Sequence, residues 1–312
     1  MDDIEKDLKK NLGSELKNNV VLKDYVSLGV GGVADYYFEA KNIEDLILAV
    51  NTAYFNKIPY FILGGGYNIL PSDSGFPGLV IKNNTSNIVF AGDSSEVIVD
   101  SGVNLGRLIN LAAGRDLGGL EFLFGVPGTV GGSICGNAGA FNFEISDFVK
   151  SVTVLVPKNN EVAIVKHSAS WLNFSYRNSR IKRDYAGEIF RPVILTAKLQ
   201  LVQRRRDEIL KMMQNNLKRK KDTQPMGEKS AGSFFKNPGP EKNAAGYYLE
   251  QVGAKKMQVG GAAFSKKHAN FLINAKNATA ADIKSLADQA KLAVKDKFDI
   301  DLREEVEYIG RW

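Results

Sequence analysis

Cysteine is nearly missing from this chain of 312 residues, where Cys135 stands alone. A single thiol cannot close an intrachain disulfide, and such scarcity points to a reducing compartment, the cytoplasm. Histidine is almost as rare, with only His167 and His268. Two histidines and one cysteine do not make up a zinc ligand set, so no metal is expected. No apolar run approaches the roughly 18 residues of a membrane span. The opening MDDIEKDLKK alternates acids and bases without an apolar centre. Neither a transmembrane helix nor a signal peptide is expected. Two nucleotide signatures are also absent: no G-x-G-x-x-G opens a βαβ unit, and no G-x-x-x-x-G-K-[ST] occurs.

What is present is globular. Hydrophobic residues make up 44% and charged residues 24%, which excludes a disordered or fibrous chain. At ~100–200 residues per domain the length suits two or three domains. Net charge is 41 − 35 = +6, which suits an anionic ligand. Short strand-like and helix-like stretches alternate, giving an α+β pattern without a sequence repeat. Ala34–Ala40 and Tyr60–Leu63 read as strands around an amphipathic helix at Asn42–Asn56. Leu79–Ile81, Ile88–Phe90, Val97–Val99 and Val193–Val202 read as further strands. Ser151–Val156 and Glu161–Val165 flank a turn at Pro157-Lys158-Asn159-Asn160. Asn104 caps a helix to Arg115, and Thr279 with Asp282 resembles a capping box.

Glycine is unevenly spread: eight of the 30 lie between Gly118 and Gly139. Two glycine-rich segments follow strand-like stretches. One is Gly64-Gly65-Gly66-Tyr67-Asn68-Ile69-Leu70. The other runs from Gly125 through Pro127, Gly128, Gly131 and Gly132 to Asn137, Gly139 and Ala140. Successive N–H groups without side chains in the way form a concavity for a pyrophosphate. A lone triple glycine favours a tight turn; two such segments in one domain, with no competing nucleotide signature, favour the anion site.

Five segments in order now resemble a known family: Gly64–Leu70, Gly125–Ala140, Tyr176-Arg177-Asn178-Ser179, Gly232-Ser233-Phe234-Phe235-Lys236-Asn237-Pro238, and Glu305-Val306. Together, from about Tyr25 to Gly310, they are similar to UDP-N-acetylenolpyruvoylglucosamine reductases, flavoenzymes of bacterial cell-wall synthesis. Ser27–Gly32 matches that family's early glycine element, with serine where threonine is usual. The resemblance implies an α+β fold: a two-part FAD-binding domain of the vanillyl-alcohol-oxidase (PCMH) type, then a smaller α+β substrate-binding domain. The chain would divide into an N-terminal helical segment (1–20), the FAD-binding domain (21–202, its subdomains split near 82–86), a connecting helix (203–224) and the substrate-binding domain (225–312), whose tail returns to the FAD domain. FAD would be held noncovalently by Gly64, Gly65, Gly66, Asn68, Ile69, Gly125, Pro127, Gly128, Gly131, Gly132, Asn137, Gly139 and Ala140. NADPH would be the cosubstrate.

The family's substrate is a vinyl ether carrying a carboxylate, UDP-N-acetylglucosamine enolpyruvate. As it is reduced, negative charge builds beside the carboxylate and a proton must arrive there. A preorganised donor lowers that barrier, and a positioned hydroxyl supplies the proton. The resemblance assigns charge stabilisation to Arg177 and Glu305 and proton donation to Ser233. Arg177 offers a planar fork for a carboxylate, whereas Glu305 must carry a proton or act through hydrogen bonds, since a bare carboxylate would repel an enolate. Tyr176, Lys236 and Asn237 are candidate substrate contacts. Taken singly, each looks ordinary: Arg177 sits among Arg180, Lys182 and Arg183, and Ser233 could be any loop hydroxyl. His268 reads as structural and His167 as exposed.

Gln203–Lys221 carries eight Lys or Arg against two acids, and no aromatic. A single-strand nucleic-acid reader needs stacking platforms, so the stretch reads as a solvated connector with an apolar face of Ile209, Leu210, Met212, Met213 and Leu217. Only eleven residues lie between Arg180 and Pro192, leaving no room for the tyrosine-bearing lid of longer family members. A monomer is expected, with the oligomeric state left open. Two rivals stay open: a same-fold flavin oxidase of a sugar lactone or alcohol, and a non-enzymatic basic nucleotide- or nucleic-acid-binding protein. The first often binds flavin through histidine or cysteine, and here only Cys135 lies in a glycine segment.

Overall fold

The computed structural model describes residues 3–92, 94–158, 160–239 and 241–312. Asn159 of the expected turn and Pro240, at the end of the loop carrying Ser233, lie outside the described residues. Helices and strands mix in the expected α+β manner. A four-stranded sheet has the order Lys17–Val21, Val33–Ala40, Phe76–Asn83, Tyr60–Leu63, and a five-stranded sheet the order Glu161–Ser168, Val149–Lys158, Val193–Gln200, Glu96–Asp100, Ile88–Phe90.

Two compact units emerge, and neither is continuous in sequence. The first takes the chain up to Asn18, then Tyr36–Gly65 and Gly78–Lys218; the second takes Asn19–Asp35, Gly66–Pro77 and Arg219–Trp312. A linear division at the basic helix therefore differs from the one drawn by packing. Two short early segments group with the C-terminal part because Leu28, Val30 and Leu70 bury their side chains in its core.

In the first unit, Asn42 caps the helix Ile43–Phe55 by accepting from the Asp45 N–H at 2.8 Å. Its apolar face, with Leu46, Ala49, Val50 and Ala53, is buried with Leu79 and Ile81 of the neighbouring strand. That strand runs parallel to Tyr60–Leu63, and the register Leu63↔Lys82 sets Lys82 beside the start of the first glycine segment. The five-stranded sheet is antiparallel throughout. Its hairpin is longer than expected, since Pro157 and Lys158 continue the ladder opposite Val162 and Glu161. Pro157 costs no bond on the other side, because pairing with Val193–Gln200 ends at Leu155↔Val193; a proline is tolerated where no ladder donor is needed.

The basic helix, Arg206–Thr223, is less solvated than its composition suggests. Ile209 and Met213 are buried in the first unit's core, while Leu210 and Met212 of the expected apolar face are exposed. Arg204, just before it, pairs with the buried Glu121 at 3.0 Å. Helical period decides this: positions four apart share a face, adjacent ones do not.

The second unit packs the helices Ala245–Gln251 and Ala280–Phe298 with a three-stranded antiparallel sheet, Gln258–Val259, Ala262–Phe264, Leu272–Asn274. Thr279 and Asp282 form the expected capping box. Asp73 adds a carboxylate there, accepting from the N–H groups of Ala280 and Ala281 at 2.8 Å each; an anion at a helix N-terminus satisfies orphan donors and opposes the dipole. Ile69–Pro71 pairs in parallel with Glu307–Ile309.

Candidate active site

The first glycine segment is open on its amide side. Among the described residues, the N–H groups of Gly65, Gly66 and Tyr67 make no hydrogen bond within the protein. Gly66 has φ +72°, and a Cβ there would lie 2.2 Å from the Tyr25 carbonyl oxygen, so only glycine fits. Lys82 donates to the Gly64 carbonyl, and burial pushes its amine below the usual lysine range. Asn68 and Ile69 are tied to the C-terminal strand instead. Asn68 Nδ2 donates to the Glu305 carbonyl at 3.2 Å, the Glu307 N–H donates to Asn68 O at 3.0 Å, and Ile69 stands opposite Glu307.

The second segment uses its glycines differently. A Cβ on Gly64 would come within 2.7 Å of Thr129 Oγ1, so that glycine lets the two segments lie side by side. Gly125 and Gly128 have φ of +77° and +137°, and Gly128 faces open space. Pro127 separates them in the loop. The amides of Gly131 and Gly132 are spent on Ser101 O and Thr129 Oγ1, at 2.8 and 3.3 Å. A Cβ on Gly131 would sit 2.7 Å from that of Ser101. Gly131 thus serves close packing, and the Gly132 amide is taken up by the helix cap at Thr129. Successive unpartnered amides such as those of the first segment fit the phosphates of a dinucleotide such as FAD.

Asn137 is fully buried. Its amide donates to Glu144 Oε2 at 2.6 Å and to Ser175 O at 3.1 Å, and its Oδ1 accepts from Ser146 N–H at 3.3 Å. This side chain is committed to the protein, so it can offer a cofactor only the backbone it holds. Its carbonyl accepts from Arg177 Nη1 at 3.4 Å, and Gly139 O accepts from Arg177 Nη2 at 2.5 Å. Glu144 lies 3.8 Å from the same guanidinium. Gly139 is required here because a Cβ would fall 2.5 Å from the Phe143 carbonyl oxygen, with Arg177 Nη1 next at 2.8 Å; Ala140 pairs with Phe143 in the adjoining hairpin. Tyr176 is exposed, with its ring centroid 5.0 Å from the guanidinium.

In the second unit, Ser233 follows Gly232, whose φ is +78°, and precedes the buried Phe234 and Phe235. Its hydroxyl makes no hydrogen bond within the protein among the described residues. The loop is pinned on both sides. On one, the Glu305 and Lys236 N–H groups bond Phe234 O and Arg303 O, each at 2.8 Å. On the other, Asn270 holds Phe234 and Phe235. Glu305 is thereby brought beside the segment carrying Ser233. Asn237 Oδ1 caps the helix Ala245–Gln251 through the Ala245 N–H at 3.0 Å, leaving its amide nitrogen for any other contact.

Sequence reasoning missed Glu144, Lys82 and Asn270, because each acts through a partner distant in sequence. His268 is half-buried, its Nδ1 accepting from the Asn270 N–H at 3.1 Å. Burial, aided by Lys255, pushes its imidazole below the ordinary value. His167 is not simply exposed: it stacks on Trp171 with ring centroids 4.1 Å apart. No group of three or more potential metal ligands occurs among the described residues, nor is any described helix long and apolar enough to cross a membrane.

The fold and the glycine cradle define a flavin-binding protein, and residues 34–164 match the FAD binding domain family. Residues 224–309 match the C-terminal domain of UDP-N-acetylenolpyruvoylglucosamine reductase. The chain is 41% identical over 310 residues to the UDP-N-acetylenolpyruvoylglucosamine reductase of Clostridium novyi, covering 99% of this chain and 97% of that protein. With the Clostridium tetani enzyme it shares 39% over 303 residues, 96% and 94% of the two chains. The crystal structure of the Thermus caldophilus reductase superposes with a TM-score of 0.77 at 32% identity, covering 94% of this chain and 99% of that one. The chain belongs to the UDP-N-acetylenolpyruvoylglucosamine reductase family.

Proposed function

We propose that this protein reduces UDP-N-acetylglucosamine enolpyruvate to UDP-N-acetylmuramate with NADPH, in the cytoplasm, as a step of peptidoglycan synthesis. FAD, when bound, supplies hydride transfer from NADPH to the enolpyruvyl carbon. The first glycine segment and the loop at Gly128 would hold it, with Lys82 supporting the turn at Gly64.

Every other task falls to side chains of this chain. Ser233 delivers the proton, Arg177 binds the carboxylate beside the developing charge, and Glu305 stabilises that charge through hydrogen bonds or a proton of its own. The observation that carries this reading is Ser233 itself, a hydroxyl without an internal partner among the described residues, on a backbone clamped on both sides. A donor with no internal bond to break, held in one place, is preorganised for proton transfer. Tyr176, Lys236 and the free amide of Asn237 are substrate contacts in this reading. The stretch between Arg180 and Pro192 makes the chain one of the shorter type.

The purified protein should be yellow and should oxidise NADPH only when the enolpyruvyl sugar nucleotide is present. Acid precipitation should leave the flavin in the supernatant, because no histidine or lysine stands beside Cys135 in sequence to activate its thiol. Flavin on the pellet, with turnover of sugar lactones or alcohols instead, would replace this reading by the oxidase.

A further inference from the structure

The loop that carries Ser233 lacks a strand on one side, and a single side chain stands in for it. Asn270 lies in the seven-residue connection between the strands Ala262–Phe264 and Leu272–Asn274, and is buried. Its backbone carbonyl accepts from the Phe234 N–H at 2.8 Å. Its Oδ1 accepts from the Phe235 N–H at 2.9 Å, and its Nδ2 donates to the Phe235 carbonyl at 2.8 Å. A carboxamide presents one acceptor and one donor side by side, the complement of a peptide unit. The opposite edge of the same segment is held by Glu304, which bridges Phe235, and by the Glu305 N–H on Phe234 O. Asn270 is itself fixed through its N–H on His268 Nδ1.

From this we propose that Asn270 is a positioning residue for proton delivery: it aims Ser233 by completing the hydrogen bonding of the adjoining peptides. The inference rests on the reading of Ser233 as proton donor. Because Phe235 is buried, loss of the clamp leaves its N–H and C=O without partners. The segment then shifts to find others, and Ser233 moves with it. Aspartate at this position keeps the acceptor for the Phe235 N–H but, ionised, loses the donor for its carbonyl.

The test is a double-mutant cycle on the holoenzyme by anaerobic stopped flow. It uses Asn270→Ala, Asn270→Asp, Ser233→Ala and the double variant Ser233→Ala with Asn270→Ala. Reduction of the flavin by NADPH should stay within about twofold of wild type in all four. Reoxidation by the enolpyruvyl sugar nucleotide should slow by about 10²-fold in Asn270→Ala, the cost of a misplacement of about 1 Å, and by less in Asn270→Asp. The double variant should reoxidise no more slowly than Ser233→Ala alone, because there is then no donor left to aim. Amide hydrogen exchange at Phe235, which reports the clamp without turnover, should quicken in both Asn270 variants.

Additive losses in the cycle, equal slowing of both half-reactions, or failure of both Asn270 variants to retain flavin would reduce Asn270 to a structural residue and overturn the proposal. So would wild-type reoxidation in the Asn270 variants when Ser233→Ala is slow. Wild-type reoxidation in Ser233→Ala overturns instead the reading beneath it.

Discussion

The Glu305 N–H donates to the carbonyl of Phe234 at 2.8 Å, which makes the residue after Ser233 a bonded neighbour of a glutamate near the C-terminus. The bond is part of a short pairing that also joins Phe235 to Glu304 and Lys236 to Arg303. Two of the three residues assigned to the reaction by family resemblance thus share one hydrogen-bonded segment.

Replacing Ser233 with alanine should divide the reaction. Flavin bleaching by NADPH involves no proton delivery to the sugar nucleotide and should continue at the wild-type rate. Reoxidation by the enolpyruvyl substrate should fall by ~10²–10⁴-fold, the usual worth of a general acid. Single-turnover flavin absorbance follows both halves. A loss confined to the NADPH half would remove Ser233 from the role.

Arg177→Lys should be far from conservative. The guanidinium holds the carbonyls of Asn137 and Gly139 with two different nitrogens, and Glu144 lies 3.8 Å from it. One ammonium cannot hold both carbonyls and a carboxylate in a plane. A fall of about 10²-fold in kcat/KM is expected, as when one preorganised donor is lost from a reacting centre. Steady-state kinetics at wild-type values would leave Arg177 as a tether for the Asn137–Gly139 turn only.

The three arginines Arg204–Arg206 should separate by partner rather than by charge. Arg205 pairs with Asp207 on the exposed surface, and reversal of Arg205 and Arg206 should leave turnover and stability nearly unchanged. Arg204→Glu should cost about 3 kcal/mol, because it strands the buried Glu121 without its cation. Urea denaturation of the separate variants measures this, and equal stabilities would mean that the Arg204–Glu121 pair contributes nothing.

Lys220 should mark the pH dependence of stability. It is buried, and desolvation lowers its ammonium to about 8 from the ordinary 10.5. Below about 8 both folded and unfolded chains carry the proton, and the folded chain bears the net cost of desolvating it. Between there and 10.5 the unfolded chain binds more protons, so this penalty fades as pH rises. Lys220→Met should therefore stabilise the protein at pH 7, and the gain should shrink on titration to alkaline pH. Denaturation midpoints of the two proteins, compared across that range, test the sign; a gain that grows with pH would contradict it.

Much of this protein was written locally. The caps at Asn42, Asn104 and Thr279 are read from a polar residue before a periodic stretch, because each bonds an N–H only three residues on. Glycine crowding marked both segments of the cradle, since a missing Cβ is visible in sequence whatever it is missing for. Five motifs in order sufficed for the family and, through it, for flavin chemistry. What the glycines are for was decided by the fold: Gly66 admits the Tyr25 carbonyl, whereas Gly131 admits Ser101. The buried stripe Ile209, Met213, Lys220 on a basic helix was equally invisible to composition. So were the Arg204–Glu121 pair, the Asn270 clamp and the meeting of Glu305 with the Ser233 loop. Each joins residues far apart in the chain, and no local propensity encodes which distant partner a buried donor or charge will find. Strand register and core packing choose that partner, and they exist only once the whole chain has folded.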